Sequence, residues 1–127
     1  MPEPVIRFPV LPDGPPAPFA ATGQSFVIKE WRGSGPPTLH VHHADDEAWH
    51  VLEGTLHFRF GDHELDVPAG GTVFVPAGVA HTYHATDARY LIVLTPQLDA
   101  LVRELQTTKD RATHPAIYRK YQSTLLE

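Results

Sequence analysis

The chain has 127 residues, of which 42% are hydrophobic, no cysteine, and a formal charge of −5. This is enough for one domain with its own core, and an acidic chain without a basic tract is not expected to bind nucleic acid or an anionic membrane. Without cysteine, disulfides and thiolate chemistry are excluded, so a metal site must use nitrogen and oxygen ligands. With no long apolar run and no signal-peptide pattern, we expect a cytoplasmic protein.

The first part of the chain is rich in proline. Seven of the thirteen prolines fall within the first eighteen residues, and proline is excluded from helix interiors and central strands. Apolar residues lie between these prolines. We therefore expect residues 1–24 to form an arm that lies on its own domain or on a partner subunit, which would suit a homodimer.

Residues 25–95 have the pattern of an all-β domain. Short alternating segments are separated by glycine and proline turns, which is typical of a sandwich or a barrel. A turn is expected at Gly54. Strands are predicted at residues 25–31, 38–42, 47–52, 72–75, 80–84 and 89–94.

One hairpin can be predicted in register. The two-residue Gly61-Asp62 loop is a type II′ signal. The register places apolar residues on one face and opposite-charge pairs on the other, with His57 on the outside. The expected pairs are Phe60–His63, Arg59–Glu64, Phe58–Leu65, His57–Asp66 and Leu56–Val67.

Residues 96–127 change to a helical period and are expected to pack on the β domain or on a partner. Thr95 is suited to cap a helix that has Pro96 at its first position. A second short helix is expected near Pro115. The first helix has an apolar stripe of Leu98, Leu101, Val102 and Leu105, and the second has Ile117, Tyr118, Tyr121 and Leu125 on one side.

The spacing of three histidines and one carboxylate predicts a metal site. His40 and His42 are two residues apart, so they share one face of a strand. Glu47 follows a short polar turn, and His81 comes from a later strand that the Pro-x-Gly turn at 76–78 directs back toward the pair. These side chains suit one divalent transition metal per chain, Fe, Mn, Ni, Co, Cu or Zn, with positions left open for solvent or substrate.

Neighbouring groups offer alternatives to this ligand set. His43 is the best alternative ligand if the register slips. Asp45 and Asp46 compete with Glu47, although their shorter side chains lie within the turn. Two further histidines have the opposite strand parity and are expected on the outside or in an interface: His50 and His84.

Strand parity also selects residues for a substrate pocket. Trp49 and Val51 share the parity of Glu47, and Tyr83 shares the parity of His81. Tyr83 is either a group that hydrogen-bonds the substrate or donates a proton, or a core aromatic whose hydroxyl is satisfied. A carboxylate beside a metal is a plausible proton acceptor, so Glu47 is a candidate base.

Two segments, residues 46–54 and 70–81, resemble the sequence motifs of the cupin superfamily, Gly-x5-His-x-His-x3–4-Glu-x6-Gly and Gly-x5-Pro-x-Gly-x2-His-x3-Asn. The resemblance implies a small jelly-roll β-barrel with the metal inside and the ligands His40, His42, Glu47 and His81. The chain departs from the motifs at two positions. Gly35 lies one residue closer to His40 than the first motif requires, and Ala85 replaces the asparagine that ends the second.

The resemblance also bounds the function. Cupins with three histidines and one glutamate include dioxygenases of the flavonol type, oxalate-metabolising enzymes, isomerases and lyases, and the fold alone does not choose among them. We expect a small dioxygenase-type oxidoreductase that acts on an oxygenated, enolic or aromatic small molecule. The alternatives are a non-redox metal-dependent lyase, isomerase or epimerase, and a non-catalytic binding module for a small molecule.

Overall fold

The computed structural model describes residues 3–6 and 18–127. Eight strands of this part of the chain form one antiparallel sheet with jelly-roll character, and two helices lie between its seventh and eighth strands, so the predicted all-β class is confirmed. The strands are β1 (Ala20–Thr22), β2 (Val27–Arg32), β3 (His40–His42), β4 (Glu47–Phe60), β5 (Glu64–Pro68), β6 (Thr72–Val75), β7 (His81–Leu94) and β8 (Ser123–Leu125). The helices are α1 (Pro96–Thr107), a 3-10 turn (Arg111–Thr113) and α2 (His114–Lys120).

The two longest strands, β4 and β7, hold the sheet together. They pair with each other from Ala48 and Val93 to Phe60 and His81. The sequence predicted breaks in both strands, and this was wrong, because β4 continues through Gly54 and β7 continues between residues 84 and 89.

Gly54 serves a bulge instead of a turn. The register of β4 against β7 shifts on both sides of Glu53, and Gly54 has a φ of 71°. A Cβ atom at Gly54 would overlap the carbonyl oxygen of Asp87 on β7. Glycine is therefore required here, because the backbone is left-handed and the two strands approach each other closely. Such a bulge bends a strand without ending it.

The hairpin of β4 and β5 has the predicted register, from Leu56 opposite Val67 to Arg59 opposite Glu64. Two details differ from the prediction. Neither residue of the loop has a positive φ, so the turn is not of type II′. The ion pair of Arg59 is with Glu127, at 2.7 Å, because the C-terminal end of the chain lies beside the hairpin.

The N-terminal segment contributes β1, which pairs with β2 from Ala20 opposite Lys29 to Thr22 opposite Val27. The sequence had assigned these residues to the arm. Residues 3–6 are exposed. The remainder of the predicted arm, residues 1, 2 and 7–17, lies outside the described residues.

The C-terminal segment begins as predicted. Thr95 caps α1, since its hydroxyl oxygen accepts a hydrogen bond from the amide of Leu98 at 3.1 Å, and Pro96 is the first helical residue. The second helix ends at Lys120, so the placement of Leu125 on it was wrong. Leu125 lies in β8, which pairs with β3, and Gln122 adopts a φ of 56° where the chain leaves the helix.

The core lies between the sheet and the two helices. Trp49, Phe58 and Tyr90 of the long strands are almost fully buried, as are Leu101 and Tyr118 of the helices. Burial of this apolar surface fixes the helices against the sheet. Within the described ranges, no helix has the length and apolar character needed to cross a membrane.

Candidate metal centre

Two strands, β3 and β7, bring His40, His42 and His81 together; we call these residues the histidine group. His40 of β3 lies directly opposite His81 of β7. The ring centroids are 4.5 Å apart for His40 and His81, 5.0 Å for His40 and His42, and 5.2 Å for His42 and His81. One ring nitrogen of each histidine lies within 4.8 Å of the others, and all three side chains are buried.

The Pro-x-Gly turn before β7 acts as the sequence predicted. Gly78 has a φ of 91°, and its amide donates a hydrogen bond to the carbonyl of His42 at 2.8 Å. This contact ties the turn to β3. The start of β7, and with it His81, is thereby held beside the pair of histidines on β3.

Backbone carbonyls orient two of the rings. Nδ1 of His40 donates to the carbonyl of Thr38 at 2.8 Å, and Nδ1 of His81 donates to the carbonyl of Val79 at 3.0 Å. A carbonyl oxygen only accepts hydrogen bonds, so Nδ1 must carry the hydrogen in both rings. In the neutral imidazole, Nε2 then presents a lone pair, which is the form that binds metals.

The third ring is oriented by a side chain from the end of the chain. Nδ1 of His42 lies 2.7 Å from Oγ of Ser123, and this hydroxyl donates to the carbonyl of Tyr121 at 3.3 Å. Because the hydroxyl hydrogen of Ser123 is donated to the carbonyl of Tyr121, Oγ of Ser123 accepts a hydrogen bond from Nδ1 of His42. His42 therefore has the same tautomer as the other two histidines.

Glu47 closes the group from the first position of β4. Its Oε1 lies 3.3 Å from Nε2 of His42 and 3.1 Å from Nε2 of His81. In the metal-free protein a hydrogen on either Nε2 hydrogen-bonds this carboxylate, and a bound cation takes the place of that hydrogen. The buried donors, three imidazoles and one carboxylate oxygen without a thiolate, fit a divalent transition metal.

Burial and neighbouring charges shift the pKa values at the centre. Burial, with a further contribution from His81, lowers the pKa of His40 to about 4, so the ring is neutral at pH 7. Burial opposes ionisation of Glu47, but its contacts with His42 and His81 outweigh this and lower its pKa to about 2. A neutral ring and an ionised carboxylate are the protonation states that a metal requires.

The competing residues considered for this site lie elsewhere. Nε2 of His43 is near the hydroxyl of Thr124, at 2.8 Å on the surface. Asp45 accepts hydrogen bonds from Thr95 and Gln97 at the start of α1. The remaining candidates make contacts on the outside of the sheet: Asp46 accepts a hydrogen bond from the amide of Ala77, His50 contacts Thr72, and His84 stacks on His57.

A cavity of about 430 Å³ opens beside the histidine group, between the sheet and the helices. Its wall is mostly apolar, which is typical of sites for small molecules. The helical stripe that the sequence assigned to packing against the sheet also forms part of this wall. Apolar and aromatic lining residues include Trp31, Pro36, Trp49, Ile92, Leu98, Leu101, Val102, Leu105 and Tyr118.

The three predicted pocket residues have different positions. Trp49 and Tyr83 line the cavity, whereas Val51 is fully buried in the core and is not part of the described wall. Nε1 of Trp49 is buried and makes no hydrogen bond to a described residue. Gly35 allows the loop before β3 to approach this wall, since a Cβ atom there would overlap the ring of Tyr83.

The hydroxyl of Tyr83 is already engaged. It lies 2.9 Å from the hydroxyl of Tyr90, which donates to the carbonyl of Gly33 at 2.7 Å. Tyr83 is therefore the donor to Tyr90. Burial, followed by the contact with Tyr90, raises the pKa of Tyr83 well above 10. This arrangement corresponds to a core aromatic with a satisfied hydroxyl.

The structure adds residues to the site that the sequence pattern did not select. Ser123 contacts the histidine group, and Tyr118 places its ring 5.5 Å from the ring of His40. Arg111 and His114 also line the cavity. All four lie in the C-terminal segment, and no local spacing relates them to the histidines, so only the tertiary structure identifies them.

Comparison with known protein families matches residues 26–95 to the model described as "Cupin domain". Among curated proteins, the chain is 41% identical over 56 residues to an uncharacterized protein of Streptomyces coelicolor. That alignment covers 42% of this chain and 53% of the relative, so the match spans about half the length of the relative.

Solved structures share the fold. A cupin-2 domain containing protein from Shewanella frigidimarina is 28% identical with a TM-score of 0.51, over 63% of this chain and 79% of that chain. A cupin protein from Bacteroides fragilis is 16% identical with a TM-score of 0.51, over 70% and 81%. KdgF from Halomonas sp. is 18% identical with a TM-score of 0.52, over 64% and 79%. At these last two identities the similarity is one of fold alone.

Proposed function

Because this chain belongs to the cupin domain family, we propose that it is a metal-dependent enzyme of the dioxygenase type. His40, His42, Glu47 and His81 hold one divalent transition metal, and the substrate is a small aromatic or enolic molecule. The observation that carries the proposal is the buried histidine group at the inner end of a largely apolar cavity.

The protein's own groups prepare the ligands and the pocket. The carbonyls of Thr38 and Val79 and the hydroxyl of Ser123 hold the three rings with Nε2 free. The apolar wall excludes water and binds the body of the substrate. When bound, the metal supplies open coordination positions for substrate oxygens and for dioxygen.

The contacts of Tyr83 and Glu47 disfavour these two residues as groups that transfer a proton to or from the substrate. The phenol of Tyr83 donates to Tyr90, and Tyr90 donates to the carbonyl of Gly33, so this chain of hydroxyls ends on the backbone. Glu47 is held between two imidazoles. A general acid or base must reach the proton that it moves. Tyr83 and Glu47 are both held by contacts within the protein.

The experiment is metal analysis followed by oxygen measurements. Protein purified without a histidine tag or chelator, beside the His42→Ala variant, is expected to contain about one metal per chain, lost in the variant. After reconstitution with each candidate ion, a panel of enolic and aromatic substrates is screened with an oxygen electrode. Oxygen uptake in proportion to substrate loss supports the proposal. Absence of metal binding after reconstitution contradicts it at its first step.

A second candidate is a metal-dependent lyase, isomerase or epimerase, and Tyr118 is the observation that favours it. Its ring lies beside His40, and its hydroxyl makes no hydrogen bond to a described residue. Burial raises the pKa of Tyr118, so the phenol is protonated at neutral pH and is suited to donate a proton. Turnover with zinc under strict anaerobiosis, lost in Tyr118→Phe, identifies this class; tight binding without turnover in any metal form identifies a binding module.

A further inference from the structure

We propose that Arg111 binds a carboxylate at the outer end of the cavity. The substrate is then an elongated small acid with an apolar body. One end of the molecule faces the histidine group, and the anionic group lies at the other end. This inference rests on the proposed function, because it names the substrate class of the same cavity. It is carried by the position of Arg111, by its lack of an ion pair with any described residue, and by the apolar wall that leads to it.

The burial of the helices shows which end of the cavity is the outer one. Leu98 and Leu101 of α1 are each 1% exposed, whereas Val102 and Leu105 are partly exposed and Gln106 is exposed. The stripe from Leu98 to Leu105 extends over seven residues, or about 10 Å along the helix. The cavity wall therefore runs from the interior to the surface at the end of α1.

Arg111 lies at this outer end, in the 3-10 turn between the two helices. It is exposed and lines the cavity. Asp110, the acidic residue next to it in sequence, uses Oδ1 to accept a hydrogen bond from the amide of Ala112 at 3.0 Å. Three other arginines of the described chain form ion pairs with carboxylates, and Arg111 forms none: the paired ones are Arg59, Arg89 and Arg103.

Glu127, the acidic residue of the cavity wall outside the candidate metal centre, does not compete for Arg111. The carboxylate of Glu127 accepts two hydrogen bonds from the guanidinium of Arg59, at 2.9 and 2.7 Å, and a third from the amide of Leu39 at 3.0 Å. Its charge is thus neutralised within the protein. The guanidinium of Arg111 is left to bind an external acid, and its planar fork matches a carboxylate in two-point contact.

The negative net charge of the protein disfavours an acidic ligand, so the binding of an acid depends on a local cation such as Arg111. A formal charge of −5 repels anions at long range, but salt screens this repulsion beyond about 8 Å under physiological conditions. Close to the entrance, the attraction of an anion to the adjacent guanidinium of Arg111 outweighs this screened repulsion. An acid and its neutral amide both meet a charged guanidinium, but only the carboxylate forms a two-point ion pair with it, so the acid should bind about tenfold more tightly than the amide.

The test is calorimetric titration with two probes that differ in charge but hardly in shape, 1-naphthaleneacetate and 1-naphthaleneacetamide. Each is titrated into the metal-loaded protein and into the same protein after chelation. The variants are Arg111→Gln and, as a matched control, Arg119→Gln, which removes one charge from an exposed position of α2 that is not part of the described wall. Unfolding midpoints confirm that both variants remain folded.

We expect the acid to bind at least about tenfold more tightly than the amide, in both metal states, with this preference lost in Arg111→Gln and kept in Arg119→Gln. A preference that survives in Arg111→Gln overturns the inference. If that surviving preference also disappears on chelation, the acid binds at the metal instead. Equal binding of the two probes to the parent protein overturns it as well. Failure of the proposed function is a separate result, since metal content and oxygen uptake are measured independently of this preference.

Discussion

Nδ1 of His42 donates a hydrogen bond to Oγ of Ser123 at 2.7 Å, although 81 residues separate them in sequence. Ser123 is 1% exposed and lies in β8, which pairs with the strand that carries His42. The last strand of the chain thus sets the tautomer of a ring in the histidine group. This contact couples the C-terminal segment to the histidine group of the candidate metal centre.

Ser123→Ala is expected to weaken metal binding by about 10- to 100-fold, because the partner that orients the ring of His42 is lost. The affinity is measured by competition with a chromophoric chelator. Thr124→Ala is the matched control, since the hydroxyl of Thr124 contacts the surface residue His43. Equal affinities of the Ser123 variant and the parent protein would contradict a positioning role for Ser123.

Two histidines of β7 differ in the face they occupy, and their substitutions should differ accordingly. His81 is 1% exposed in the histidine group, whereas His84 is exposed and stacks on His57. His81→Ala is expected to abolish stoichiometric metal binding and His84→Ala to preserve it, as measured by elemental analysis. Retention of metal by His81→Ala would mean that the ligand set is incorrect.

Tyr83→Phe tests whether this hydroxyl has a chemical role. The variant loses the hydrogen bond to Tyr90, so the free energy of unfolding should fall by about 1 kcal/mol. Because the hydroxyl points to Tyr90, we expect kcat to change by less than about twofold, well under the effect of losing a general acid. A large loss of kcat with unchanged metal content and fold would instead assign Tyr83 a role in proton transfer.

Gly54→Ala is expected to destabilise the protein strongly. The new Cβ atom would occupy a left-handed backbone position and overlap the carbonyl of Asp87. The free energy of unfolding should fall by about 2 kcal/mol or more, measured by urea denaturation. Gly61→Ala is the control, since its Cβ atom would meet no atom of the described residues within 4 Å and the φ of Gly61 is not positive. Similar effects of the two substitutions would refute the role given to Gly54.

The metal-free protein should lose stability as the pH falls from 6.5 to 4. The pKa of His40 is lowered from 6.5 to about 4 in the folded state, mainly by burial. In this range the unfolded chain binds more protons at residue 40 than the folded chain does, so stability rises with pH and is lost on acidification. The loss reaches about 3 kcal/mol at most, since one pKa unit corresponds to about 1.4 kcal/mol.

Urea denaturation of metal-free protein at several pH values measures this effect, with His40→Gln as the comparison. The variant should show a flatter dependence between pH 6.5 and 4, because the titrating group is absent. The lowered pKa of Glu47 acts at more acidic pH, below its usual value of 4.5 and down to about 2, so it does not account for a loss above pH 5. Identical pH profiles of the two proteins would exclude His40 as the cause.

Several features follow from the sequence by itself because they depend on neighbours along the chain. The period of two puts His40 and His42 on one face, the apolar alternation sets the register of the β4–β5 hairpin, and Thr95 before a proline fixes the start of α1. Short segments between glycine and proline turns predicted the all-β class, and the resemblance of the two motifs indicated the family. The strand face, the hairpin register and the helix start rest on local backbone geometry, which a sequence pattern expresses directly.

Only the tertiary structure decided the remaining features, because each depends on a pairing between distant segments. Gly54 has the residue type of a turn, but its position opposite Asp87 makes it a bulge inside a continuous strand. The last residues become strand β8 because β3 presents an edge to which they pair, and this brings Ser123 to His42. The docking of the helices on the sheet then makes their apolar stripe a cavity wall and leaves Arg111 at its entrance. Such long-range contacts follow from how the segments pack together, so local spacing carried no signal for them.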